Sequence, residues 1–174
     1  MCKIFLFDIE NICLLKNTGE DTDSGLCFTE ETIMEFKPYE HKVHYYETDK
    51  MGVVHHSNYI RWMEEARVDM MEKSGFGYKR LEEEGIISPV LGIECEYKKS
   101  TDFDDTIVIA VEEEFYNGIK MTIKYTMTNK ATGAVTAVGK SRHCFLNKDS
   151  RPVNLRKLCP ELDGIFNSLL VKES

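Results

Sequence analysis

The sequence predicts an α+β fold in which one long helix covers a face of an antiparallel sheet, and three observations carry that prediction. Apolar residues between Ser57 and Lys73 recur at three- and four-residue spacing. Four β-rich stretches follow one another later in the chain, separated by short turn-like segments. A single strand-like stretch precedes the helix, so the order is strand, helix, then a run of strands.

The first strand is read over Tyr39 to Glu47, "YEHKVHYYE", where Val, Tyr and His alternate loosely before the turn "TDKMG". In the helix that follows, Tyr59, Ile60, Trp62, Met63, Ala66, Met70 and Met71 form the apolar stripe. Arg61, Glu64, Glu65, Asp69 and Glu72 occupy the rest, and Gly75 closes the helix. Glu64 and Arg67, at i and i+3, read as an ion pair. A short helix, Tyr78 to Glu84, carries the solvent-facing run "LEEEG" and stops at Gly85. The four later strands are Ile87 to Lys99, Thr106 to Tyr116, Ile119 to Thr128 and Ala134 to Asn147, expected as an antiparallel meander. Asn117-Gly118 between the second and third is a strong hairpin signal. A C-terminal helix is expected over Leu155 to Val171, with Leu158, Leu162, Ile165, Phe166, Leu169 and Leu170 on one face.

Residues 15 to 37 are polar, acidic and without a sustained period, so residues 1 to 37 read as a flexible N-terminal extension and residues 38 to 174 as the compact domain. The apolar piece Ile4 to Leu15 is an extra element or an unpacked tail. Asp8 and Glu10 break it, so it is not read as an export signal. Met34 offers an alternative start for the working protein.

Composition narrows the function. A chain of 174 residues with 42% hydrophobic and 30% charged residues fits one soluble domain with a single core, and no segment reaches the length of a membrane span. The formal charge of -8 argues against nucleic acid as a partner, because it would repel a phosphate backbone. The six cysteines show no metal-finger or C-x-x-C spacing and read as reduced thiols of a cytoplasmic protein.

The chemistry concentrates in Tyr45 to Arg67, "YYETDKMGVVHHSNYIRWMEEAR". A loop entering a helix sets free N–H groups and the positive end of the helix dipole beside it, which suits a carbonyl oxygen or an anion. Asp49 lies in that loop and Gly52 permits a tight turn, so the carboxylate can serve as nucleophile or as general base on water. His56 falls at the first turn of the helix, seven positions on. The plainer alternative is an Asx-turn in which Asp49 bonds its own backbone. Adjacent His55 and His56 lack metal-ligand spacing, and no metal is expected.

This stretch resembles the motif of the hotdog-fold thioesterases of the 4-hydroxybenzoyl-CoA thioesterase type, a "D-x-x-G-[IV]-V-[YHF]-[HY]-x-x-Y" loop that opens the central helix. Here it reads "DKMGVVHHSNY", followed by "IRWMEEAR". The resemblance is dense over Val43 to Gly75, extends by strand order over about residues 38 to 152, and says nothing of residues 1 to 37. It implies a curved antiparallel sheet wrapped around a long central helix, and a homodimer or homotetramer paired through the sheet. It also implies hydrolysis of acyl-CoA thioesters without metal or bound cofactor.

Under that resemblance Asp49 attacks the thioester carbonyl or activates water, while the backbone N–H at His56, and its ring, polarise the carbonyl. Tyr45, Val54, His55 and Asn58 line the loop, and the acyl group lies against Tyr59, Trp62 and Met63. Another branch of the fold works from a glutamate on the central helix, which makes Glu64 the rival to Asp49. Lys98, Lys99, Arg142 and Arg151, near strand ends, are candidates for the CoA phosphates. A binding module that holds acyl-CoA without cleaving it, and a hotdog hydratase or dehydratase, are the alternative functions.

Overall fold

In the computed structural model, residues 37–169 are described, and β1 (Tyr39–Lys42) opens them. The expected extension over residues 1–36, the alternative start at Met34, and Leu170 and Val171 lie outside the described residues.

The first strand is shorter than its alternation suggests, because after Lys42 the chain leaves the sheet and winds into a 3₁₀ turn over Tyr45–Glu47. Helix α1 (His56–Lys73) follows, then Gly75 in the left-handed region at φ +80° and a short α2 (Tyr78–Glu83). Four strands come next: β2 (Val90–Tyr97), β3 (Thr106–Tyr116), β4 (Lys120–Asn129) and β5 (Val135–Cys144). The single C-terminal helix of the sequence reading is two, α3 (Leu155–Leu158) and α4 (Pro160–Leu169). Pro160 explains the break, since proline cannot donate into a preceding turn yet suits the first position of a new helix.

The sheet order is β1-β3-β4-β5-β2, antiparallel at every pairing. Strands β3, β4 and β5 form the expected meander, and Asn117 Oδ1 closes its first hairpin by accepting from the N–H groups of Ile119 and Lys120. The first of the four expected meander strands is a correction. β2 does not pair with β3 but crosses over to the far side of β5, while β1 takes the place beside β3. Alternation identifies a strand without naming its neighbour.

α1 packs on β1, β2 and β3 through Tyr59, Trp62, Met63, Ala66 and Met70. Gly139 on β5 makes close approach possible, because a Cβ there would run into the side chain of Met63 and the carbonyl of Glu94. Arg67 turns inward, which corrects the expected pair with Glu64: its Nε donates to Tyr78 Oη at 2.8 Å and its Nη1 to Tyr125 Oη at 3.5 Å. Edge strand β2 leaves Val90, Leu91, Ile93 and Tyr97 exposed. Among the described residues no helix is long and apolar enough to cross a membrane.

Candidate active site at the entrance to the long helix

Residues 47 to 55 form a small hairpin. His55 N–H donates to the Glu47 carbonyl at 2.8 Å, Thr48 pairs with Val54, and Asp49 N–H donates to the Val53 carbonyl at 2.9 Å. Gly52 turns the tip at φ +81°, a conformation open to glycine at no steric cost. The hairpin is tied to the body by Val54 N–H donating to the Thr101 carbonyl at 2.8 Å and by a bridge between Val53 and Asp102.

Asp49 is half-buried at the start of this tip. Its Oδ1 accepts from Met51 N–H at 2.7 Å, so the Asx-turn of the plainer alternative is present. It occupies one carboxylate oxygen; Oδ2 takes no hydrogen bond from the described residues. His55 is the N-cap of α1, with its Nδ1 facing Ser57 Oγ at 2.9 Å. His56 opens the helix, and its N–H has no hydrogen-bond partner among the described residues, as the first turn of a helix dictates. Asp49 and the helix tip stand about two ladder positions apart, roughly 7 Å along the strand.

The other predicted residues divide. Val54, Tyr59 and Trp62 are buried, and the Tyr59 ring packs between those of Trp62 and Tyr97 at centroid distances of 4.9 and 5.1 Å. Asn58 is buried and donates through Nδ2 to the Glu47 carbonyl at 2.7 Å, so it fastens the hairpin to α1. Tyr45 is exposed, with its ring edge-on to Phe103.

Glu64 stands on the outer face of α1 beside a shallow depression lined by Tyr39, Arg61, Glu65, Val68 and Asp69. It is eight residues, about 12 Å of helix, beyond His56. Lys98 pairs with Glu96, and Lys99 lines a groove with Asp102 and Thr136 at the hairpin end of β2. Arg142, 3.4 Å from Glu94, lies opposite Gly92 toward the other end of β2, and Arg151 sits in the Asn147 turn beyond it. The four basic residues therefore form two groups and not one cluster.

Three contributors escaped the sequence reading. Tyr97 Oη donates to the His56 carbonyl at 3.1 Å, which joins β2 to the first turn of α1. Glu47 is buried and accepts from Trp62 Nε1 at 2.8 Å, from His44 N–H at 2.7 Å and from His41 Nε2 at 2.9 Å. Burial acts to raise the Glu47 carboxyl, but these three donors outweigh it and hold the group below the ordinary carboxylate range. His41 in turn has its Nδ1 3.4 Å from Glu65 Oε2.

The family model described as the thioesterase-like superfamily matches residues 43–164, the span that holds the hairpin, α1 and all four later strands. The chain belongs to the thioesterase-like superfamily. Within that superfamily it is 38% identical over 121 residues to "Putative acyl-CoA thioesterase YneP" of Bacillus subtilis (strain 168), covering 69% of this chain and 87% of the relative. A solved structure described as a DHNA-CoA thioesterase from Staphylococcus aureus superposes with a TM-score of 0.71 at 32% identity, over 75% of this chain and 88% of the other. A protein from Aquifex aeolicus solved without an assigned function gives 0.68 at 30% identity, over 74% and 97%. The thioesterase reading of the loop motif and the α+β hotdog class both hold: this superfamily member is a five-stranded antiparallel sheet with α1 packed on it.

Proposed function

We propose that this thioesterase-superfamily chain is a thioester hydrolase that cleaves acyl-CoA to a free acid and CoA. The observation that carries the reading is the proximity of two groups that make no hydrogen bond with the described residues, one on the hairpin and one at the helix tip that it feeds. One is the Asp49 Oδ2, a carboxylate oxygen left free by its Asx-turn; the other is the His56 N–H at the tip of an 18-residue helix. The names of the relatives, one an acyl-CoA thioesterase and one a DHNA-CoA thioesterase, support the substrate class.

The thioester carbonyl oxygen accepts from His56 N–H, where the helix dipole steadies the negative charge that grows as the carbon becomes tetrahedral. Asp49 either attacks that carbon, giving a mixed anhydride and expelling CoA thiolate, or draws a proton from a water that attacks it. In the first route water then hydrolyses the anhydride and regenerates the carboxylate. Tyr97, by holding the His56 carbonyl, limits rotation of the first helical turn. The acyl group lies beside Tyr59 at the edge of the core, and Lys98 and Lys99 receive phosphates of CoA at the hairpin end of β2. Arg142 and Arg151, at the opposite end, serve the same role only for a CoA bound across a second copy.

A homodimer fits this arrangement, because among the described residues β2 is an edge strand with Leu91, Ile93 and Tyr97 exposed. Cys95, Cys144 and Cys159 are free thiols, in keeping with a cytoplasmic setting.

Thiol release across a panel of acyl-CoA substrates tests the proposal. Asp49→Asn is expected to keep the fold and CoA binding while turnover falls roughly 100-fold or more, since an amide is a poor nucleophile and base. Near wild-type hydrolysis by that variant would remove Asp49 from the mechanism and make Glu64→Gln the variant to assay. Tight acyl-CoA binding by the unaltered chain without thiol release would overturn the hydrolase reading itself.

A further inference from the structure

Glu47 lies two residues before Asp49 and is 5% exposed. Its carboxylate collects donors from three places: His41 on β1, His44 at the start of the 3₁₀ turn, and Trp62 in the second turn of α1. Its carbonyl collects two more, from His55 N–H and from Asn58 Nδ2. One residue therefore joins β1, the hairpin and the first two turns of α1.

The hairpin does not need this carboxylate in order to close. The pairing of Thr48 with Val54 and the Asp49 N–H bond to Val53 involve backbone alone. Burying a carboxylate costs several kcal/mol, and an apolar residue of similar volume often serves stability as well or better. What the carboxylate adds is a fixed position. A shift of Glu47 would move Asp49 through two peptide bonds and the α1 tip through the His55 and Asn58 bonds.

We infer that Glu47 is a positioning residue that sets the separation between the Asp49 carboxylate and the His56 N–H, an inference that rests on the hydrolase reading above. Misplacement of reacting groups by about 1 Å costs on the order of 100-fold in rate, so the effect belongs to turnover and not to substrate affinity.

The experiment compares the full chain with Glu47→Gln. Glutamine keeps one acceptor oxygen but turns an NH₂ toward donors that now lack a partner. Expected is a fall in kcat of roughly 10- to 100-fold with KM within about threefold and an unchanged circular dichroism spectrum. Trp62 is the sole tryptophan of the chain, so its emission reports directly on the altered bond. An emission shift accompanied by wild-type kcat well below the melting temperature would overturn the inference and leave Glu47 a purely structural residue. If Glu47→Gln fails to fold, Trp62→Phe removes one donor and leaves the other two. An intermediate loss of kcat at constant KM supports the inference, and unchanged kcat overturns it. Retained hydrolysis in Asp49→Asn would sink the underlying reading. Lost hydrolysis there together with wild-type kcat in Glu47→Gln sinks this inference alone.

Discussion

Tyr125 Oη on β4 and Ser141 Oγ on β5 lie 2.8 Å apart in the core, so a pair of hydroxyls joins two central strands where apolar side chains would ordinarily meet. The link continues on both sides. Arg67 reaches Tyr125 and Tyr78, and His143 Nε2 lies 2.8 Å from the same Ser141 oxygen. A buried polar seam thus runs from α2 through α1 into the sheet, and because its members polarise one another it responds as a unit to loss of any one.

The acid side of the stability profile follows from His143. Burial, with the charge of Arg67 added, pushes its imidazole down to about 4. Unfolded chains take up this proton near pH 6.5, the folded chain only near 4. Stability is therefore whole above about pH 6.5 and declines as pH falls through the folded value, by on the order of 3 kcal/mol from this group. Urea midpoints measured from pH 7.5 to 4 should show the decline, and His143→Gln should flatten it whatever its midpoint at neutral pH.

Glu113 acts on the alkaline side. On the core face of β3, both of its carboxylate oxygens lack a hydrogen-bond partner among the described residues, and burial pushes the group up to about 8. The unfolded chain releases this proton near pH 4.5 and the folded chain near 8, so stability falls as pH rises between those values. Relative to the natural chain, Glu113→Gln should gain on the order of 4 kcal/mol between pH 4.5 and 8.5. No relative gain in denaturation experiments would mean that the carboxyl finds a partner.

Gly139→Ala should destabilise by about 1–3 kcal/mol, because the added methyl meets both the Met63 side chain and the Glu94 carbonyl. Met63 can turn aside; the backbone carbonyl cannot without disturbing the β2 pairing. Thermal unfolding should register a drop of several degrees, on the order of 2–8 °C.

Ile93→Lys tests assembly. It places a charge on the exposed edge of β2, a device that blocks edge pairing. If the proposed dimer pairs through this edge, sedimentation should give a dimer for the natural chain and a monomer for the variant, and an unchanged mass would move the interface elsewhere.

The long helix was legible to within one residue because its stripe spans five turns, and the Asn117-Gly118 hairpin because its chemistry is local. The crossover of β2 was not legible, since a strand carries no sign of its partner. Arg67 was read outward from an i, i+3 spacing that ignores Tyr78 and Tyr125, which reach it only in the folded chain. In the candidate site, the tight turn at Gly52 and the position of His56 at the helix start were legible from the loop that feeds the helix. Glu47 and Tyr97 were missed because an acidic residue after two tyrosines, or a tyrosine at a strand end, has no local signature of what it will hold. The split at Pro160 was readable from the proline itself.

The crossover also dictates when the candidate site can exist. β2 finds its hydrogen-bond neighbour only after about forty further residues have emerged and β5 is in place, a closure that grows entropically costlier with the length of intervening chain. Tyr97, which steadies the first turn of α1, rides on that late strand. A ribosome-bound chain ending at Asn129 would thus lack β5, the strand against which β2 carries Tyr97 to the helix tip, leaving the candidate site among the last features assembled during synthesis.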